Sequence, residues 1–223
     1  PDGRQILFTS YLHGNPDLFV LDLARQRRHA VSQFQGLNSA GTFSPDGQSI
    51  LLTLSRGAHP NLFLINTQGE ILRRLTEGRA IATSPTFAPN GREFAFISDR
   101  GGNPQIWLMS IEGGNLRRLD IPQSTASPAW SPRGDKIAFA MRGPRGTFDI
   151  AVYELQTSRI IRLTNNARSN VNPTWSPDGR FLVFSSNRTG RWELYIMAID
   201  GSGTRKLAEI PGNSFTPAWS PYL

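Results

Sequence analysis

Cysteine is absent from the 223 residues, which excludes disulfides, thiolate metal sites and a cysteine nucleophile together. No run of about 18 apolar residues occurs, so nothing reads as a membrane-crossing helix. Histidine is scarce. His13, His29 and His59 have no partner at a ligand or catalytic spacing, and each reads as a loop or surface residue. The G-x-S-x-G elbow, H-E-x-x-H, the Walker loop and G-x-G-x-x-G are all missing, so no catalytic residue and no metal ligand is assigned. The opening Pro1-Asp-Gly-Arg4 is polar and turn-like, not a secretory leader; a leader is not present in this chain.

Helical periodicity is also lacking, because Gly or Pro interrupts every apolar run before a 3.6-residue pattern can build. The chain carries 21 Gly and 16 Pro, with 38% apolar and 18% charged residues. That composition suits a turn-rich fold with a real core. The net charge is +7, and all but Lys136 and Lys206 of the 24 basic residues are arginine. An excess of this kind fits a solvated surface or an acidic partner, and the placement of the arginines decides between them.

The main signal is a repeat. The turn Pro-x-Gly recurs at Pro1–Gly3, Pro45–Gly47, Pro89–Gly91, Pro132–Gly134 and Pro177–Gly179, at intervals of 44, 44, 43 and 45 residues. Two residues before each later Pro stands an aromatic: Phe43, Phe87, Trp130, Trp175 and, before Pro221, Trp219. Two apolar runs follow each turn, such as Ile50–Leu54 and Leu62–Ile65, too weakly alternating for strands with one wet face. A shorter basic run closes the unit, as in Arg73-Arg-Leu-Thr76. Four short strands in about 44 residues is the arithmetic of a propeller blade. The expected fold is all-β, a single domain over residues 1–223 of five four-stranded blades starting near residues 1, 45, 89, 132 and 177. The segment 215–221 is expected to complete the first blade as a closing strand and so remove an open edge.

In such a fold the basic column, with Arg117/Arg118, Arg162 and Arg205/Lys206, falls on outer edge strands. There it discourages edge pairing and is spread too widely for a nucleic-acid groove. Asp17, Asn61, Gln105, Asp149 and Glu193 form one column and Arg56, Arg100 and Arg188 another; a structural polar link between the two is expected, rather than an acid–base pair. The variable segments are the loops entering each innermost strand. They are expected to meet at one channel mouth, and they carry Leu37, Asn38, Ser39, Ala40, Ile81, Thr83, Ser84, Thr125, Asn170, Val171, Asn172 and Phe215. A few apolar anchors within a polar rim suit partner docking.

Ser176-Pro-Asp-Gly-Arg180, Phe184-Ser-Ser-Asn-Arg-Thr-Gly190, Leu194–Met197, Asp200-Gly201 and Arg205-Lys-Leu207 resemble the repeat of the TolB-type propeller family. Pro217–Leu223 resembles the C-terminal end of its periplasmic members. The resemblance covers all five periods. It implies a non-enzymatic interaction propeller in a Gram-negative periplasm, without membrane insertion and acting in envelope integrity, cell division and protein transport. The implied partner is the Pal lipoprotein, with other Tol proteins as further candidates. Leu37, Ala40 and Thr83 fall at positions matching the family's partner-contact segment. Full-length relatives add an N-terminal α/β domain and a sixth blade, so truncated, engineered and natural five-bladed forms all remain open. A monomer without cofactor is expected, with Ca²⁺ as the ion to consider in the channel. Three rival readings compete with Pal docking: a small-ligand propeller, the gating propeller of a prolyl-oligopeptidase-type peptidase, and a scaffold without retained binding.

Overall fold

The structure is a computed structural model that describes residues 1–12, 14–57, 59–165 and 168–221; the reading of His13 and the final two residues of the C-terminal motif lie outside them. Five antiparallel sheets follow one another along the chain, the blades of an all-β propeller fold. The first blade holds β1 (Gln5–Ser10), β2 (Asp17–Asp22) and β3 (Arg27–Ser32). The second holds β4 (Asn38–Phe43), β5 (Ser49–Leu54), β6 (Asn61–Asn66) and β7 (Ile71–Arg74). The third runs through β8 (Ala82–Phe87), β9 (Glu93–Ser98), β10 (Gln105–Ser110) and β11 (Arg117–Arg118). The fourth comprises β12 (Thr125–Trp130), β13 (Lys136–Arg142), β14 (Phe148–Glu154) and β15 (Ile160–Arg162). The fifth comprises β16 (Asn170–Trp175), β17 (Phe181–Ser186), β18 (Glu193–Ala198) and β19 (Arg205–Lys206).

Each sheet is a meander in chain order, the simplest result of joining short strands through tight turns. The Pro-x-Gly turn is built as its residues require. Gly47 N donates to Ser44 O at 2.9 Å, and Asp46 accepts from Gln48 N at 3.0 Å and from Ser44 Oγ at 2.5 Å. Asp178 repeats this arrangement with Arg180 N and Ser176 Oγ.

Two compact units make up the chain. One comprises Pro1–Asn103, Trp107–Arg118 and Pro221, the other Pro104–Ile106 and Leu119–Ser220. In the first unit, Leu18, Val20, Val31, Ile50, Leu52 and Phe63 pack blade one on blade two. A second cluster around Leu51, Leu62, Phe87, Phe94 and Phe96 packs blade two on blade three. In the second unit, Ala138, Ile150, Val152, Trp175, Leu182 and Phe184 join blades four and five. Middle strands are therefore apolar on both faces because both faces are interfaces. The basic column lies on the terminal strands β7, β11, β15 and β19, largely exposed.

Two expectations need correction. The first blade has three strands, and residues 207–221 contain none. A strand exists only as one side of a ladder, and no ladder forms on this segment. Among the described residues the expected link between the arginine and acidic columns is also no direct ion pair at Arg100 or Arg188; Arg188 reaches Asp149 only through Asn170. All three arginines lie over aromatic rings: Arg56 over Phe34 at 5.1 Å, Arg100 over Trp107 at 5.2 Å and Arg188 over Tyr195 at 4.1 Å. A half-buried guanidinium keeps its charge more cheaply on a π face than beside a carboxylate already bonded elsewhere, and burial pulls Arg100 and Arg188 below the usual arginine range.

Candidate functional site

The candidate loops precede β4, β8, β12 and β16, and their backbone is tied down at several points. Asn38 N donates to Pro16 O, Ala82 N to Pro60 O, and Thr125 N to Pro104 O, at 2.9–3.1 Å. Leu37 N donates to Ser55 Oγ at 2.7 Å, Ile81 N to Asp99 Oδ1 at 2.8 Å and Ser169 N to Asn187 Oδ1 at 2.8 Å. The repeat pattern alone does not single out Ser55, Asp99 and Asn187 as the residues that pin these loops. A signal for them exists all the same: each stands immediately before the arginine of the column, as Ser55-Arg56, Asp99-Arg100 and Asn187-Arg188.

Inside each inner strand the chain bulges. The register slips between Ser39 and Thr42, Thr83 and Thr86, Ala126 and Ala129, and Val171 and Thr174. In each bulge one non-glycine residue is left-handed: Ala40 (φ 51°), Ser84 (52°), Ser127 (50°) and Asn172 (53°). Conformations of this kind cost of order 1–3 kcal/mol each and persist only when the surroundings enforce them. After Ser84, Ser127 and Asn172 comes Pro85, Pro128 or Pro173, a residue with no N–H to lose at an unpaired bulge position. In the second unit the bulges of neighbouring blades are linked, Asn172 Nδ2 donating to Ser127 Oγ at 3.1 Å.

The twelve candidate residues separate into two kinds. Asn38 is fully buried and saturated: its Oδ1 accepts from Ser32 Oγ and Phe34 N, and its Nδ2 donates to Phe34 O and Gly36 O. Asn170 is buried as well, held by Arg188 Nη2 at 3.1 Å and by Asp149 Oδ1 at 3.5 Å. Thr125 is buried with its hydroxyl unpartnered among the described residues. These three shape the loops and present nothing to a partner. In the first unit, Leu37, Ser39, Ala40, Thr83 and Ser84 are half-buried and Ile81 is 42% exposed. Thr83 Oγ1 sits 3.4 Å from Thr53 Oγ1. In the second unit, Val171 and Asn172 are half-buried, and Phe215 is 48% exposed with its ring 5.1 Å from that of Trp192.

The acidic column is structural. Thr76 Oγ1 donates to Asn61 Oδ1 and Thr164 Oγ1 to Asp149 Oδ1, both at 3.0 Å, tying the third strand of a blade to the end of its fourth. In blade five, Lys206 Nζ takes this role at 2.7 Å from Glu193 Oε1. The Lys206, Thr189 and Arg191 donors hold the Glu193 carboxyl down to about 2. Among the described residues no group of three or more His, Cys, Asp or Glu could hold a metal ion.

The sequence profile described as "TolB beta propeller domain" matches residues 1–223. The chain belongs to the TolB β-propeller domain family. The fold of TolB from Acinetobacter baumannii superimposes with a TM-score of 0.88 at 30% identity, covering 100% of this chain and 56% of that one. Among curated relatives, the Tol-Pal system protein TolB of Hydrogenovibrio crunogenus is 33% identical over 98 residues, 44% of this chain and 22% of its own. The uncharacterized peptidase YuxL of Bacillus subtilis is 36% identical over 104 residues, 44% of this chain and 16% of its own. The chain thus spans under two thirds of the length of these TolB-family relatives and of the peptidase.

Proposed function

We propose that this chain is a non-enzymatic protein-interaction propeller that docks a Pal-like lipoprotein in a Gram-negative periplasm, in the service of envelope integrity and division. The carrying observation is the inner-strand entry loop of blade three, whose backbone Asp99 pins and which leaves Ile81 42% exposed beside the half-buried Thr83 and Ser84. Loops already ordered lose little entropy on binding, and an isolated exposed apolar side chain in a polar rim is the usual form of an anchor. The resemblance to TolB proteins supplies the partner class. The basic column sits on the terminal strands of its blades and leaves nucleic acid out of this reading, and no cofactor is called for.

Calorimetric titration with a purified Pal periplasmic domain tests it. Saturable binding is expected, weakened at least about tenfold, or roughly 1.4 kcal/mol, by Ile81→Arg. A folded chain that takes up no Pal overturns the reading. The similarity to the B. subtilis peptidase supports a second reading, a propeller portion serving a larger hydrolase, for which Pal would be inert. A thermal midpoint raised by Ca²⁺ or by sugars would favour an ion- or small-ligand-binding propeller instead.

A further inference from the structure

Arginines that recur from blade to blade have structural partners. Arg73 and Arg117, on β7 and β11, pair with Glu112 and Glu93 at 2.9 and 2.8 Å, and Arg56, Arg100 and Arg188 lie on aromatic rings. Arg142, Arg145 and Arg168 belong to neither column. They come from the β13–β14 turn and the loop entering β16. Residues 142–147, 165–169 and 187–192 together hold five arginines and no acid, whereas the equivalent loops 55–60, 77–81, 99–104 and 120–124 hold three of each. The +7 charge of the chain is therefore concentrated where blades four and five depart from the repeat.

Within the second compact unit these three loops are joined. Phe148 N, at the end of the β13–β14 turn, donates to Ser169 Oγ at 3.3 Å. On its other side the same loop meets the β17–β18 turn, Asn187 N donating to Ser169 O at 3.1 Å. Arg168 Nη1 lies 3.9 Å from where a Cβ on Gly190 would stand, and Arg142 Nη2 3.6 Å from one on Gly146. Both guanidiniums thus lie beside turns with arginines of their own, Arg191 and Arg145. Arg142, Arg145 and Arg168 are exposed, and among the described residues their guanidiniums have no carboxylate and no hydrogen bond. Asp149 and Glu193 are buried and committed to Thr164 and Lys206. Arg168 is also left-handed, with φ 59°, where blade two has Gly36. A strained arginine whose side chain bonds nothing in its own fold points outward for its use. Next to Arg191, the Trp192 ring stands 5.1 Å from that of Phe215, which is 48% exposed.

We propose that this rim of blades four and five, Arg142, Arg145 and Arg168 with Phe215 at its blade-five end, docks an acidic segment of a protein partner that carries aromatic side chains among its carboxylates. Guanidinium groups accept carboxylates through paired hydrogen bonds, and arginine beside an exposed aromatic is the composition of contact surfaces. Charge of one sign gathered on fixed loops also steers an acidic partner to the site. A nucleic-acid strand would need rings with free faces to stack on, whereas Trp192 and Phe215 pack on each other. The site lies wholly in the second unit and is independent of Pal docking at the blade-three loop.

Fluorescence anisotropy tests it, with the full chain titrated into a fluorescein-labelled peptide of glutamate pairs separated by phenylalanines. Saturable binding is expected, weakening as salt rises from about 0.05 to 0.3 M because exposed charges are screened. Neutralising the rim, in an Arg142→Gln/Arg145→Gln/Arg168→Gln chain, should weaken binding about tenfold or more. Removing equal charge from the terminal strands, in Arg73→Gln/Arg117→Gln/Arg205→Gln, should change it less than about twofold, which separates the rim from net charge. Arg168→Gly alone should weaken binding without lowering the thermal midpoint, since glycine accepts the positive φ. A peptide with serine in place of glutamate should not bind. No saturable binding, equal weakening by the two triple variants, or a preference for single-stranded DNA over the peptide overturns the inference.

Discussion

Blade one and blade two are built from nearly the same sequence pattern and end up differently buried. Ile6–Ser10 and Ile50–Leu54 both read as buried strands, yet β5 is almost wholly inaccessible and β1 is exposed or half-exposed along its length. The difference lies outside both strands, in the inner strand that β5 has and β1 lacks. Burial here belongs to pairs of neighbours more than to the strand, as expected when hydrophobic stabilisation follows area removed from water.

The aromatic column gives the sharpest version of this contrast. Trp175 is buried and donates through Nε1 to Ala129 O at 2.9 Å, so Trp175→Ala should cost about 3–5 kcal/mol. Trp219→Ala at the same repeat position should cost under about 1 kcal/mol in a monomer. Urea unfolding of both variants checks this, and equal losses would break the comparison. A similar pair exists in the turns after the third strand. Gly69 and Gly113 both have φ near +90°, but a Cβ on Gly69 would lie 2.4 Å from Val31 O, while nothing lies within 4 Å of one on Gly113. Gly69→Ala should cost about 1–3 kcal/mol more than Gly113→Ala, because strain and collision add only at the former. Their relative denaturation midpoints decide.

The arginine column offers a smaller effect. Arg188 covers the Phe184 and Tyr195 rings and bonds Asn170, whereas Arg56 is exposed over Phe34. Arg188→Met should cost about 2 kcal/mol and Arg56→Met about 0.5–1 kcal/mol; the same urea titrations measure both. The last contrast is in pH. The Glu193 carboxyl falls from 4.5 to about 2 because Lys206, Thr189 and Arg191 donate to it. A depressed carboxyl stabilises the fold above its unfolded value and loses that contribution as pH falls through the folded one. The thermal midpoint of the wild-type chain should therefore drop between pH 4.5 and 2, and Glu193→Gln should flatten that drop.

Much of the fold is legible in the residues. The Pro-x-Gly turns, the apolar pairs of runs and the basic run specify five blades and their order, because local turn chemistry and strand period agree in every unit. Ala40, Ser84 and Ser127 give no hint of positive φ, since nothing in those side chains favours it, whereas Asn172 is of a type that visits it readily; the bulge is imposed by the ladder around them. Asn38 and Asn170 look like docking amides from their place in the loops, but a small polar residue at a strand entry satisfies the loop's own backbone equally well. The column of Arg56, Arg100 and Arg188 misleads for a related reason. Asp149 and Glu193 are already committed to Thr164 and Lys206, which come from a segment about 15 residues farther on.

Residue-resolved amide exchange tests the contrast between blade one and blade two most directly. The Leu7 and Thr9 amides should exchange faster than those of Leu51 and Thr53 at the equivalent places in β5, which β4 covers. Equal protection of the two pairs would contradict that contrast.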